Sequence, residues 1–182
     1  MGNKNYGEAG KYYFIFTRDL GMVYASASGV RKMSSKLRYV LQDFAYLKID
    51  LVQGKDLWRI TSASKTNQLE KITKQPENLK IFVNIARLLR RLLAGVEPNE
   101  ILFIDLLSIL SVLETIEKKE DLRNMEVILV LRILNNLGYI GGDLTFNNLI
   151  RSPFEQELVL EVSKNRKKIL NQINKALKET HL

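Results

Sequence analysis

The feature that most constrains this 182-residue chain is a change of hydrophobic rhythm near residue 75. Before it, apolar residues alternate with polar ones, the period of a half-buried strand; after it they recur every three or four positions, the period of a helix. Val23, Ala25 and Ala27 oppose Tyr24, Ser26 and Ser28, while Leu47, Ile49 and Leu51 alternate with Lys48 and Asp50. Trp58 and Ile60 face away from Leu57 and Arg59. Tyr12 to Thr17 is rich in aromatic and β-branched residues and runs into Asp19-Leu20-Gly21, a hairpin-turn signal. Short strands joined by tight turns over so few residues predict a small β-barrel.

The second part reads as helix throughout. Phe82, Ile85, Ala86, Leu89, Leu92 and Leu93 share one stripe that ends near Gly95. Leu106, Leu107, Leu110, Leu113 and Ile116 make another. Val127 to Leu134 is apolar almost all round, which predicts a buried central helix. Ser152, Pro153 and Glu155 form the start signal of a last helix, whose stripe is Leu158, Val162, Ile169, Ile173, Ala176 and Leu177. Between the two parts, Lys65 to Asn78 is polar and holds Pro76, as a linker or short connecting helix would.

Charge divides at the same place. Residues 1–75 carry 13 Lys/Arg and 6 Asp/Glu, whereas residues 76–182 carry 15 and 14. Nearly all of the net +8 therefore belongs to the strand-rich part, and such an excess speaks about partners rather than fold. Gly29-Val30-Arg31-Lys32-Met33-Ser34-Ser35-Lys36-Leu37-Arg38 packs four cations and two hydroxyls into one connection. Cations pair with phosphates and hydroxyls donate to phosphate oxygens. Arg18, Lys55 and Arg59 extend that surface, and Tyr24, Tyr39, Tyr46 and Trp58 are aromatic candidates for stacking bases, although Trp58 suits a core better. As a group, with the charge asymmetry behind it, the cluster favours nucleic acid over a solvated charge run.

Other chemistry is poorly supplied. The chain has no cysteine, which excludes disulfides, a thiol nucleophile and Cys-ligated zinc or iron–sulfur sites. Its single histidine, His181, is second from the end, which leaves no Ser-His-Asp or His-rich metal constellation. Glu117, Glu120 and Asp121 flank Lys118 and Lys119 and read as local ion pairs rather than a metal site. Gly141-Gly142 reads as a turn, because no Lys-Ser/Thr follows to make a phosphate loop. Lys164, Arg166, Lys167 and Lys168 read as a solvated helix face. No cofactor, metal or catalytic site is expected, and no run is long enough to span a bilayer. A soluble, cytoplasmic protein that is not an enzyme is the expectation.

Three stretches carry a family resemblance: Tyr6-Gly7-Glu8, Phe16-Thr17-Arg18-Asp19-Leu20-Gly21, and the basic run Gly29 to Arg38. With Leu41-Gln42-Asp43-Phe44 and Gly54-Lys55-Asp56-Leu57-Trp58-Arg59-Ile60, their order and spacing over residues 6–65 resemble the N-terminal domain of the bacterial recombination mediator RecO family. Leu134-Asn135-Asn136-Leu137-Gly138-Tyr139-Ile140 is similar too, on less specific Leu patterns. The resemblance implies an α+β protein of two domains: an OB-fold barrel over 1–68, a linker over 69–78 and an all-α domain over 79–182. It implies binding of single- and double-stranded DNA, annealing of complementary strands and, with RecR, loading of the recombinase onto coated DNA. It also implies that the coating protein's acidic, hydrophobic C-terminal tail docks on the helical domain, and adds association with the nucleoid. Carried over by position, the DNA-contacting residues are Arg18, Arg31, Lys32, Lys36 and Arg38.

Two departures stand out. Many members carry four cysteines in a zinc-binding insertion, and none is present here. The family's first strand precedes the Gly-Glu pair, where this sequence has six residues. The barrel is therefore expected either to lack its first strand or to carry a shortened one. An RNA-binding OB module and a helical-domain protein adaptor are the alternatives.

Overall fold

The computed structural model describes residues 1–66, 68–93, 95, 97–141, 146–153 and 156–180. Five strands come first: β1 (Asn3–Tyr6), β2 (Gly10–Thr17), β3 (Gly21–Ala27), β4 (Leu47–Gln53) and β5 (Trp58–Lys65). They form one sheet in the order β1-β2-β3-β5-β4. All neighbours are antiparallel except β3 and β5, which meet parallel at Ala25–Trp58 and Ser26–Arg59. A one-turn helix, α1 (Leu37–Val40), lies on the crossover between β3 and β4. This is a five-stranded, partly open barrel of OB type. The first strand is present, shortened to four residues, and no described pairing joins it to β4. Asn3 Nδ2 instead donates to Asp43 Oδ2, just ahead of β4, at 2.7 Å.

The barrel core is small because its wall residues are small. Tyr13, Ala25, Ala27, Val30, Leu41 and Ile60 are buried together, with Leu47, Leu51 and Trp58 packed against them. Tyr13 stands directly opposite Ala25, so a large ring fills the space that a methyl leaves. The alternation in β3 runs as expected, with Val23, Ala25 and Ala27 buried and Met22, Tyr24 and Ser26 half-exposed. Trp58 is half-buried and packs against this core.

The helical part comprises α2 (Glu70–Lys74), α3 (Pro76–Leu92), α4 (Glu100–Leu113), α5 (Lys119–Asn136), α6 (Asn147–Arg151) and α7 (Gln156–Glu179). Gln75 is extended and Pro76 opens α3, where a missing N–H costs nothing. Asn99 caps α4 by accepting from the Leu102 amide at 3.0 Å. α5 is the hub that α3, α4, α6 and α7 pack around. Its Ile128, Leu129, Leu131, Ile133 and Leu134 are essentially without solvent contact. Within 69–78, Leu69 and Ile72 are buried in this helical core.

Several local expectations need correcting. Ser152 closes α6: its amide donates to the Asn148 carbonyl at 3.1 Å, and its own carbonyl accepts from Arg132. The described part of α7 starts at Gln156, and Glu155, Gly142 and His181 lie outside the described residues. Lys119 pairs at 2.9 Å with Glu77 of α3 rather than with a neighbour in sequence, because α5 lies across the start of that helix. Arg166 turns inward to donate to Asn124 Oδ1 at 2.5 Å, leaving Lys164, Lys167 and Lys168 on the surface.

Barrel and helices meet through aromatic rings. Phe16 and Met22, a cross-strand pair, pack on the helical core. Phe16 and Tyr46 lie 5.5 and 6.3 Å from Phe103, and Phe44 lies 5.7 Å from Phe82. At the β2–β3 turn, Gly21 has φ +69°, and a Cβ there would stand 2.1 Å from the Glu97 carbonyl oxygen. Only glycine permits both that conformation and that approach.

Candidate nucleic-acid interface

The outer face of the sheet follows from register. Tyr12 pairs with Ser26 and Phe14 with Tyr24, so these four side chains share a face, opposite the buried Tyr13 and Ala25. Lys4 of β1 pairs with Tyr12, which puts Lys4 and Tyr6 on the same face. There the rings form a ladder: Tyr6–Tyr12 at 4.4 Å, Tyr12–Tyr24 at 4.9 Å and Tyr24–Phe14 at 4.7 Å. All are tilted contacts, a favoured arrangement for ring quadrupoles. The guanidinium of Arg90, from α3, lies 3.9 Å from the Phe14 centroid and closes that end. The Tyr12 hydroxyl is held above its usual pKa, by desolvation first and a hydrogen bond with Tyr6 second.

The basic connection stands at the other end. The Arg31 amide donates to the Ala9 carbonyl at 2.9 Å, which docks the connection on the β1–β2 turn beside Tyr6 and its partner Gly10. Further amide–carbonyl bonds, from Lys32 to Gly29 and from Ser35 to Lys32, fold it into successive turns. Arg31, Lys32 and Lys36 are exposed along it. Arg38, in α1, directs a guanidinium nitrogen at Met33 Sδ. Arg59 lies in register with Ser26 at the outer face and is exposed. Lys55 stands on the β4–β5 turn, which the Gly54 amide closes by donating to Leu57.

Arg18 stands apart from these. It sits on the β2–β3 turn with Asp19 at 2.9 Å and Glu100 at 3.9 Å. Its hydrogen bond to Asp19 and the two carboxylate charges stabilise its charged form. The structure thus gathers the Gly29–Arg38 connection with Tyr6, and places Arg18 at the junction with the helices, already partnered.

Among the four aromatic candidates, only Tyr24 lies in the ladder. Tyr46 packs toward Phe103, Trp58 toward the barrel core, and Tyr39 is exposed on α1. Sequence reasoning missed Tyr6, Tyr12, Phe14 and Arg90. The two-residue spacing of Tyr12 and Phe14 was the available signal; their meeting with Tyr6 and Tyr24 depends on strand register. Among the described residues, no group of three or more Asp, Glu or His is placed to hold a metal. No described helix is long and apolar enough to cross a membrane.

Residues 1–69 match the family model for the N-terminal part of recombination protein O. This first part of the chain is therefore similar to the N-terminal part of that family. Three curated relatives named DNA repair protein RecO extend the likeness. That of Heliobacterium modesticaldum is 36% identical over 63 residues, covering 35% of this chain and 23% of the relative. That of Rubrobacter xylanophilus is 29% identical over 90 residues, covering 50% and 36%. For Pelotomaculum thermopropionicum the values are 28% over 103 residues, 57% and 40%. The matched stretches thus span well under half the length of these RecO proteins.

Proposed function

We propose that this chain is a DNA-binding recombination mediator acting in DNA repair, not an enzyme. Its barrel, over 1–68, captures the phosphate backbone with Arg31, Lys32, Lys36 and Arg38, and Lys55 and Arg59 flank the path. Affinity comes from counterion release, which is independent of sequence. Holding one strand by its backbone leaves bases free to pair, so annealing of complementary strands follows. In this reading the helical part, from 79 on, receives partner proteins: RecR, and the acidic, hydrophobic tail of single-strand-binding protein. Exposed Ile101 and Ile104 on α4 offer such a tail apolar contact. The stretch 69–78 links the two parts, and the chain works in the cytoplasm on the nucleoid.

One observation carries the reading. In a RecO-type N-terminal domain, the most basic connection is docked by Arg31 on Ala9 at the open end of an aromatic outer face. The test is competition binding, with labelled single-stranded DNA challenged by the same-sequence RNA and by a duplex, followed by an annealing assay. DNA at least as good a competitor as RNA, together with faster annealing, is the expected result. Preference for RNA by tenfold or more would replace it with an RNA-binding module.

A further inference from the structure

We propose that Tyr6 is a base-stacking platform, the one ring of the outer-face ladder with a side open to an unpaired DNA base. The inference rests on the reading of the barrel as a single-stranded DNA module. Tyr12 lies between Tyr6 and Tyr24, and Tyr24 between Tyr12 and Phe14. Phe14 is closed off by Arg90. The inner rings are occupied by one another, so four aromatics do not make four base sites. Tyr6, at the end, touches one ring and remains 51% exposed, whereas Tyr12 and Tyr24 are half-buried.

The platform is also held in place. Tyr6 pairs across the sheet with Gly10, where a Cβ would come within 2.9 Å of the Tyr6 carbonyl oxygen and 3.2 Å of its ring. The ring thus lies over the glycine, a known way of covering a bare strand position. That covering explains the inward side of Tyr6 and leaves the outward side unexplained. Packed against Tyr12 on one side and seated over Gly10, the ring has little conformational freedom left to lose on stacking. Lys4, on the same strand face, and the connection docked at Ala9 place cations on either side for the phosphates of a stacked nucleotide.

A chemical cycle separates stacking from stability. Wild type, Tyr6→Leu and Tyr6→Phe are titrated with a thymidine oligonucleotide of about 12 residues, within the range of OB-fold site sizes, and with an abasic strand of equal length. Leucine keeps an apolar cover over Gly10 but has no ring. Tyr6→Leu is expected to weaken thymidine binding about tenfold, a typical single base–aromatic stack, and to leave abasic binding within about twofold. Tyr6→Phe is expected to retain the wild-type difference between the two strands. Tyr6→Met repeats the test should the leucine variant fail to fold. Equal losses on both strands, or no loss on either, would overturn the platform while leaving the DNA reading intact. Wild type that binds neither strand would overturn both.

Discussion

The helical part and the barrel use apolar residues in opposite ways. In the helices, Leu and Ile on four elements converge on α5 and are buried almost completely. In the barrel, six buried residues form the core, two of them alanines, while Tyr6, Tyr12, Phe14 and Tyr24 stand on the outside. A core of that size gives limited stability of its own, and the barrel leans on the helices through Phe16, Met22, Phe44 and Tyr46. The difference teaches that buried apolar packing is concentrated in one region and exposed rings and cations in the other, with Gly21, Phe103 and Arg90 at the seam.

The comparison breaks most readily at α5. Leu131→Ala, at a fully buried position, is expected to cost about 3 kcal/mol by chemical denaturation, from lost transfer energy and the cavity left behind. A cost below about 1 kcal/mol would mean that the helical core is not the chain's stabilising centre. Arg132→Met comes next. This buried guanidinium donates to Asp105 Oδ1 at 2.8 Å, to the Leu149 carbonyl at 2.9 Å and to the Ser152 carbonyl at 2.6 Å. Removing it strands those acceptors. Because Asp105 is a third exposed, the expected loss is about 2–3 kcal/mol rather than the full penalty of a buried charge. Asp105→Asn should cost less, since the two carbonyls keep their donor.

At the seam, Gly21→Ala is expected to cost about 2 kcal/mol, because the left-handed backbone and the Glu97 carbonyl both oppose a Cβ. Its loss should appear as separation of barrel and helix unfolding, monitored by Trp58 fluorescence against helical circular dichroism. Coincident transitions in that variant would show that the two regions are one cooperative unit regardless of the seam. The smallest stability effect belongs to the interface itself. Neutralising Arg31, Lys32, Lys36 and Arg38 together should change unfolding free energy by under about 0.5 kcal/mol at each of the three exposed sites, and by little more at half-exposed Arg38. The same variant should lose most of its DNA affinity.

Much of this fold was legible in the sequence. The alternation Val23-Ala25-Ala27 gave β3 and its inward face, and the all-round apolar run Val127 to Leu134 gave the hub. Tyr46 misled, since a strand-flanking aromatic looks the same whether it faces solvent or a neighbouring helix. Only the two-residue spacing of Tyr12 and Phe14 was readable of the ladder: it joins three strands, and register decides which rings meet. Of the basic residues, the connection Gly29 to Arg38 was identifiable from density of charge alone. That Arg18 is held by Asp19 and Glu100 depends on a helix some eighty positions away.

The central claim, that the barrel's exposed cations bind nucleic-acid backbone, is tested most directly by the salt dependence of single-stranded DNA binding, wild type beside the four-fold neutralised variant. A log–log slope of about −3 to −5 is predicted for wild type, as four to seven phosphate contacts would give, with a clear fall in the variant. Weak binding without salt dependence, or an unchanged slope in the variant, would contradict it.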